Sequence, residues 1–227
     1  MYLLLIWVIL FGNPQFISSL NYHPFYTQEE QQTSDKVVVI QKKVIPIEIL
    51  DPVKEALSYF PELEEVDITF EFKEKISGSV MQAQPHVLSL FVDGKDKRKY
   101  RIKITRMLNL GDTLIPIENV PNDALVGWIG HELGHIMDYI DRSATNMMRF
   151  GFKYIVSKQK VIDAELAADS YAIGCGLGLQ VLATKEYILN QEGFDDEYKE
   201  KIRTLYMSPE AIVNLQDEMA EEEAIFD

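Results

Sequence analysis

Only four histidines occur among the 227 residues, and two of them, His131 and His135, stand four apart with Glu132 between them, an H-E-x-x-H arrangement inside the run GWIGHELGHIMDYI at residues 127–140. Positions i and i+4 lie one turn apart on the same side of a helix, so the two imidazoles converge and can hold one Zn²⁺ at about 2.0–2.1 Å each. Glu132 then falls beside the ion without binding it, the place of a general base acting on a metal-bound water. A catalytic zinc needs a third protein ligand, and residues 163–169, DAELAAD, offer Glu165 and Asp169 four apart on a second helical segment. The small side chains of Ala164, Ala167, Ala168 and Ala172 let that helix approach the first closely. Glu165 would complete a His₂Glu site with an open fourth position, and Asp169 could accept the remaining N–H of a ligating imidazole. Asp138, three residues after His135 and seven after His131, shares their face and competes with Glu165 as third ligand; its other reading is a carboxylate behind the ligands or at the surface.

These two segments resemble the gluzincin branch of the zincin metallopeptidases. That family carries H-E-x-x-H on one helix and, on the next, a glutamate ligand followed four residues later by an aspartate, the pattern of His131, Glu132, His135, Glu165 and Asp169 here. The resemblance spans about residues 100–176, is specific at the two motifs, and matches the family's minimal members in scale. It implies a small sheet before the active-site helix and a glutamate helix after it. It also implies one catalytic Zn²⁺ and hydrolysis of peptide bonds, with Glu132 removing the proton of the bound water and returning it to the leaving amine. The family further tends to steady the oxyanion with a Tyr, His or Arg, for which Arg149, Tyr154 and Tyr171 are the candidates. Its substrates lie extended along an edge strand; residues 99–106 are the candidate strand, whose basic face would favour acidic peptides.

The elements that must position these residues can be read from periodicity. Residues 36–49 are rich in β-branched side chains and lead into helical spacing at 52–59; residues 66–72 and 99–106 alternate apolar with polar, and 87–92 form a short apolar run read as another strand. The expectation is a small, mostly antiparallel sheet. From Pro121 the period lengthens to that of a helix, with segments expected at 122–141, 143–157, 160–174, 179–191, 195–206 and 209–224. Sheet first and helices after make an α+β fold.

The apolar run at residues 2–11 ahead of Gly12-Asn13-Pro14 has the length of the apolar part of a secretory signal rather than of a bilayer span, so residues 1–19 read as a signal peptide with an uncleaved anchor as the alternative, and the protein as exported. Residues 20–35 follow as a linker, 36–191 as the metallopeptidase domain and 192–227 as an acidic helical extension. After signal removal no stable membrane span is expected.

Twenty-two basic against 36 acidic residues leave a net charge of −14, which argues against nucleic-acid binding. Residues 192–227 hold twelve acidic side chains against Lys199, Lys201 and Arg203. Both that run and the basic stretch at 95–106 read first as solvated faces. A single cysteine, Cys175, excludes an internal disulfide or a multi-cysteine metal cage and reads as a packing residue; His23 and His86 read as loop residues. The partner expected is a peptide or protein substrate. The rival function is a non-catalytic zincin-like module that keeps its metal and binds a partner through the acidic helices; a non-peptide amidase is a weaker third.

Overall fold

The strands and helices below come from a computed structural model that describes residues 36–143, 146–147 and 157–226. The expected signal at 1–19, the linker at 20–35, His23, most of the helix expected at 143–157, Arg149 and Tyr154 lie outside the described residues.

Alternation turns one face of each strand toward the helices. Strands β1 (Val37–Ile40), β2 (Lys43–Pro46), β3 (Asp67–Lys73), β4 (Met81–Pro85) and β5 (Lys99–Thr105) form one sheet in the order β1-β2-β3-β5-β4. Ile68, Phe70, Met81, Ala83, Tyr100, Ile102 and Ile104 are buried on its inner face, each large one contributing about 1.5–3 kcal/mol relative to exposure.

The sheet is mixed rather than mostly antiparallel: β2–β3 and β3–β5 are parallel, the latter over seven residue pairs, while β1–β2 and β4–β5 are antiparallel. After β3 the chain passes through β4 at the edge, then a helix, and inserts β5 between them. Alternation specifies that a segment is a strand but not the direction of its neighbour.

The run at 87–92 is that helix, α2 (Val87–Val92), and not a strand. Leu88 and Val92, four apart, are exposed while Ser89 and Leu90 are buried, a one-sided pattern that a run of five apolar letters and one serine does not reveal. A ribbon of β6 (Met107–Leu110) and β7 (Thr113–Pro116) follows, turning at Gly111, whose φ of 65° suits glycine.

The helical half begins with α3 (Asn122–Ile140), preceded in the chain by α1 (Leu50–Ser58) after β2. Every residue of α3 from Ala124 to Ile136 is buried, so it is enclosed on all sides rather than along one stripe. It packs on the sheet, on α1, on α4 (Lys158–Ala172) and on α5 (Gly178–Asn190). Glycines allow the two closest approaches: a Cβ on Gly134 would lie 2.3 Å from the Ala168 carbonyl oxygen, and one on Gly127 would lie 2.0 Å from that of Gln180.

α4 and α5 are joined by a π-type turn, Ile173–Leu177, in which Gly176 takes φ 97°. By length and composition alone the joined stretch Lys158–Asn190 is long and apolar enough to cross a membrane, but it is kinked at Gly176, and its Ala164, Ala168, Ala172, Leu177 and Val181 are buried against the rest of the chain.

Residues 192–227, expected as an acidic extension, supply α6 (Asp196–Leu205) and α7 (Pro209–Phe226). Ile202 and Ile212 enter the common core, while Asp196, Glu197, Glu200, Asp217 and Glu218 face solvent. The architecture is α+β, a small sheet followed by helices.

Candidate metal centre

The central helix presents His131 and His135 from adjacent turns, their rings edge to face with centroids 4.7 Å apart. α4 crosses it at the Gly134–Ala168 contact, which brings Glu165 within reach of both. Glu165 Oε2 lies 3.1 Å from His131 Nε2 and 3.3 Å from His135 Nε2. The three donor atoms lie within 4.8 Å of one another, and the residues are 6%, 7% and 3% exposed, so they form a buried group that could hold a metal ion. Two imidazole nitrogens and one carboxylate oxygen facing a common point are a donor set that suits a divalent ion, so the residues present fit the group the motif implies.

Asp169, one turn after Glu165, meets His131 from behind: its Oδ1 is 2.8 Å from His131 Nδ1, leaving Nε2 toward Glu165. Glu132 points elsewhere, toward the sheet, where its Oε2 accepts from the backbone N–H of Ala83 at 2.6 Å.

Asp138 is not in the cluster. Arg142, four residues on, donates to both of its oxygens at 2.8–3.0 Å and turns it toward the end of α3. Tyr171 is 37% exposed on α4, about 200° around the helix from Asp169. Cys175 sits partly buried in the π turn, its thiol pushed up by burial and by Glu62. His86 is exposed at the end of β4 and serves the backbone, its N–H donating to Lys99 O.

The strand expected to receive substrate, residues 99–106, is interior: β5 lies between β3 and β4, and β4 is the edge. Its basic side chains share the outer sheet face with Glu71, 3.8 Å from Arg101 and 3.3 Å from Lys73.

Four side chains that sequence reasoning did not single out surround the cluster. Tyr139 stacks on His135 with centroids 5.9 Å apart, and its place four residues after His135 was a readable signal. Tyr206 lies against His131 at 5.4 Å. Tyr198 from α6 lines the small cavity beside Glu132 and His131. Lys185 from α5 bonds Asp169. The only trace of the last in the sequence is a charge within the apolar run LQVLATKEYIL.

The charges are coupled. Burial raises the Glu132 carboxyl, against the pull of the nearby imidazoles. For Glu165 burial opposes the charge, but His135 and His131 prevail and hold it well below the usual carboxylate range. Burial also opposes a charge on His131; the Asp169 carboxylate and the hydrogen bonds with Asp169 and Glu165 outweigh it and push its pKa up to about 9.

A folded pKa above the unfolded value of about 6.5 contributes stability that is complete below pH 6.5 and lost as pH rises through about 9. The urea midpoint of chelator-treated protein should therefore fall between those limits, and fall less in Asp169→Asn; equal slopes in both proteins would show that His131 is not charged by this pair.

Comparison of the chain with family models, with curated proteins and with solved structures returns no match.

Proposed function

We propose that this protein is a zinc-dependent peptidase of gluzincin type, with His131, His135 and Glu165 as metal ligands and Glu132 as general base. The observation that carries this reading is the meeting of three donor atoms from two helices, with the buried carboxylate of Glu132, which lines the same small cavity as His131, not one of them. A zinc ion held there would polarise the scissile carbonyl and make an attacking water more acidic.

The chain's own residues supply the remainder. Glu132 accepts the proton of the attacking water and delivers it to the leaving nitrogen as the C–N bond breaks, so the proton ends on the new amine and the oxygen on the new carboxylate. Asp169 holds His131 by its Nδ1. Peptide would align along β4. His86 N–H donates to Lys99 O and Thr105 N–H to Val80 O, so even-numbered positions bond β5 and the backbone of Met81 and Ala83 turns to the open edge. Ala83 N–H already meets Glu132, which ties the edge strand to the general base.

One observation favours a second reading, a non-catalytic module whose metal only braces the core: Glu132 and all three ligands are buried. Elemental analysis and casein hydrolysis separate the two. The peptidase reading expects about one zinc per chain, lost in Glu165→Ala and in His131→Ala, together with hydrolysis that a chelator abolishes. Zinc at full occupancy with no hydrolysis across unstructured substrates supports the module; zinc retained by Glu165→Ala overturns the ligand set. The signal and export expected from residues 1–19 belong to the same proposal and are tested by the N-terminus of the mature protein.

A further inference from the structure

We propose that Lys185 is a positioning residue of the metal centre, fixing the Asp169 carboxylate so that His131 Nε2 faces Glu165. The proposal rests on the reading of His131, His135 and Glu165 as metal ligands.

A carboxylate has about four acceptor sites, and all four of Asp169 are matched. His131 Nδ1 lies 2.8 Å from Oδ1, Lys185 Nζ lies 3.1 Å from each oxygen, and Met207 N–H lies 3.0 Å from Oδ2. The donors come from α3, α5 and the connection between α6 and α7, so no single helix motion can turn the carboxylate without breaking a bond to another. Lysine is rarely buried unless paired, and Lys185 is 4% exposed. Its Nζ also sits 4.3 Å from the centre of the Tyr206 ring, whose centroid is 5.4 Å from that of His131. One aromatic ring thus packs against both the lysine and the imidazole it helps to aim.

The chain goes to some length to make this contact. Lys185 follows Asp169 by sixteen residues, about 24 Å along a straight helix. The π turn at Ile173–Leu177, with Gly176 at φ 97°, breaks that line and returns α5 to α4. His135 has no equivalent: its buried Nδ1 has no hydrogen-bond partner among the described residues, and Tyr139 stacks on its ring. At Nδ1, the nitrogen turned away from Glu165, hydrogen bonding therefore orients one imidazole of the pair, and Lys185 is the charged group that holds its acceptor in place.

The test titrates metal-free protein with zinc against a chromophoric chelator, for wild type, Lys185→Met, Lys185→Arg, Asp169→Asn and the double variant Asp169→Asn/Lys185→Met. Lys185→Met is expected to weaken zinc binding about 10–100-fold, and Lys185→Arg to recover most of that loss. On the Asp169→Asn background Lys185→Met should add nothing, because its effect passes through Asp169; a residue that merely fills space would weaken both backgrounds alike.

Wild-type affinity in Lys185→Met, or equal losses on the two backgrounds, overturns the proposal while leaving the ligand assignment intact. Absence of zinc binding by wild type overturns the ligand assignment and the proposal with it. If Lys185→Met does not fold, Lys185→Gln, which keeps one donor to Asp169, decides: an intermediate loss supports the role and wild-type affinity refutes it.

Discussion

Glu132→Gln should keep its zinc and lose about 10²–10⁴-fold in kcat/KM for peptide hydrolysis, the range associated with removing a general base. The substitution is informative because it is nearly isosteric in a tightly filled place. Glu132 is 5% exposed and accepts from Ala83 N–H at 2.6 Å; a glutamine amide oxygen can accept the same hydrogen bond, so the edge strand need not move. What disappears is the capacity to take a proton. Burial raises the Glu132 carboxyl, which makes the ionised group a stronger base than an ordinary glutamate. Steady-state kinetics with metal content measured on the same samples give the comparison. Activity within a few-fold of wild type at equal zinc would assign the base to another residue.

Gly134→Ala should be a severely damaging single-methyl change, lowering stability by about 3 kcal/mol, at the upper end of what overpacking usually does. The added Cβ would sit 2.3 Å from the Ala168 carbonyl oxygen, 3.0 Å from its carbon and 3.1 Å from its Cα. These are backbone atoms of α4 and cannot rotate away as a side-chain tip would, so the two helices must separate. Ala168 is adjacent to Asp169 and three residues after Glu165. Separation therefore pulls the Glu165 carboxylate away from the histidines, and zinc affinity should fall together with the urea midpoint. Gly174→Ala is the matched control, since a Cβ there meets nothing within 4 Å and its effect should be near zero or mildly stabilising. Wild-type stability in Gly134→Ala would mean that the close α3–α4 crossing does not set the geometry of the centre.

Much of the local order was legible because it is written in short periods. H-E-x-x-H and Glu-x-x-x-Asp needed only the helical repeat, and the alanines beside Glu165 pointed to a close approach that the structure realises at Ala168 and Gly134. Long-range choices were not legible. Asp138 and Glu165 were both geometrically admissible third ligands on spacing alone, and only the α3–α4 crossing places Glu165 against both histidines, 34 and 30 residues away. Residues 81–85, MQAQP, carry weak strand propensity, yet they form the edge strand that meets Glu132, because β5 offers them a ladder. Residues 99–106 advertised a strand clearly but not that it would be enclosed on both sides.

By itself, then, the amino-acid order determined which side chains could act on a metal and which helices carry them, since residues four apart on a helix meet whatever surrounds it. Tertiary structure alone decided the rest: a mixed sheet with β4 outermost, the placing of Glu165 rather than Asp138 beside the two histidines, and the convergence of Lys185 and Met207 on Asp169, with Tyr206 against Lys185. Those outcomes depend on contacts between residues 15 to 38 apart in the chain, where no periodicity connects the partners and packing of the whole core selects among arrangements that are locally equivalent.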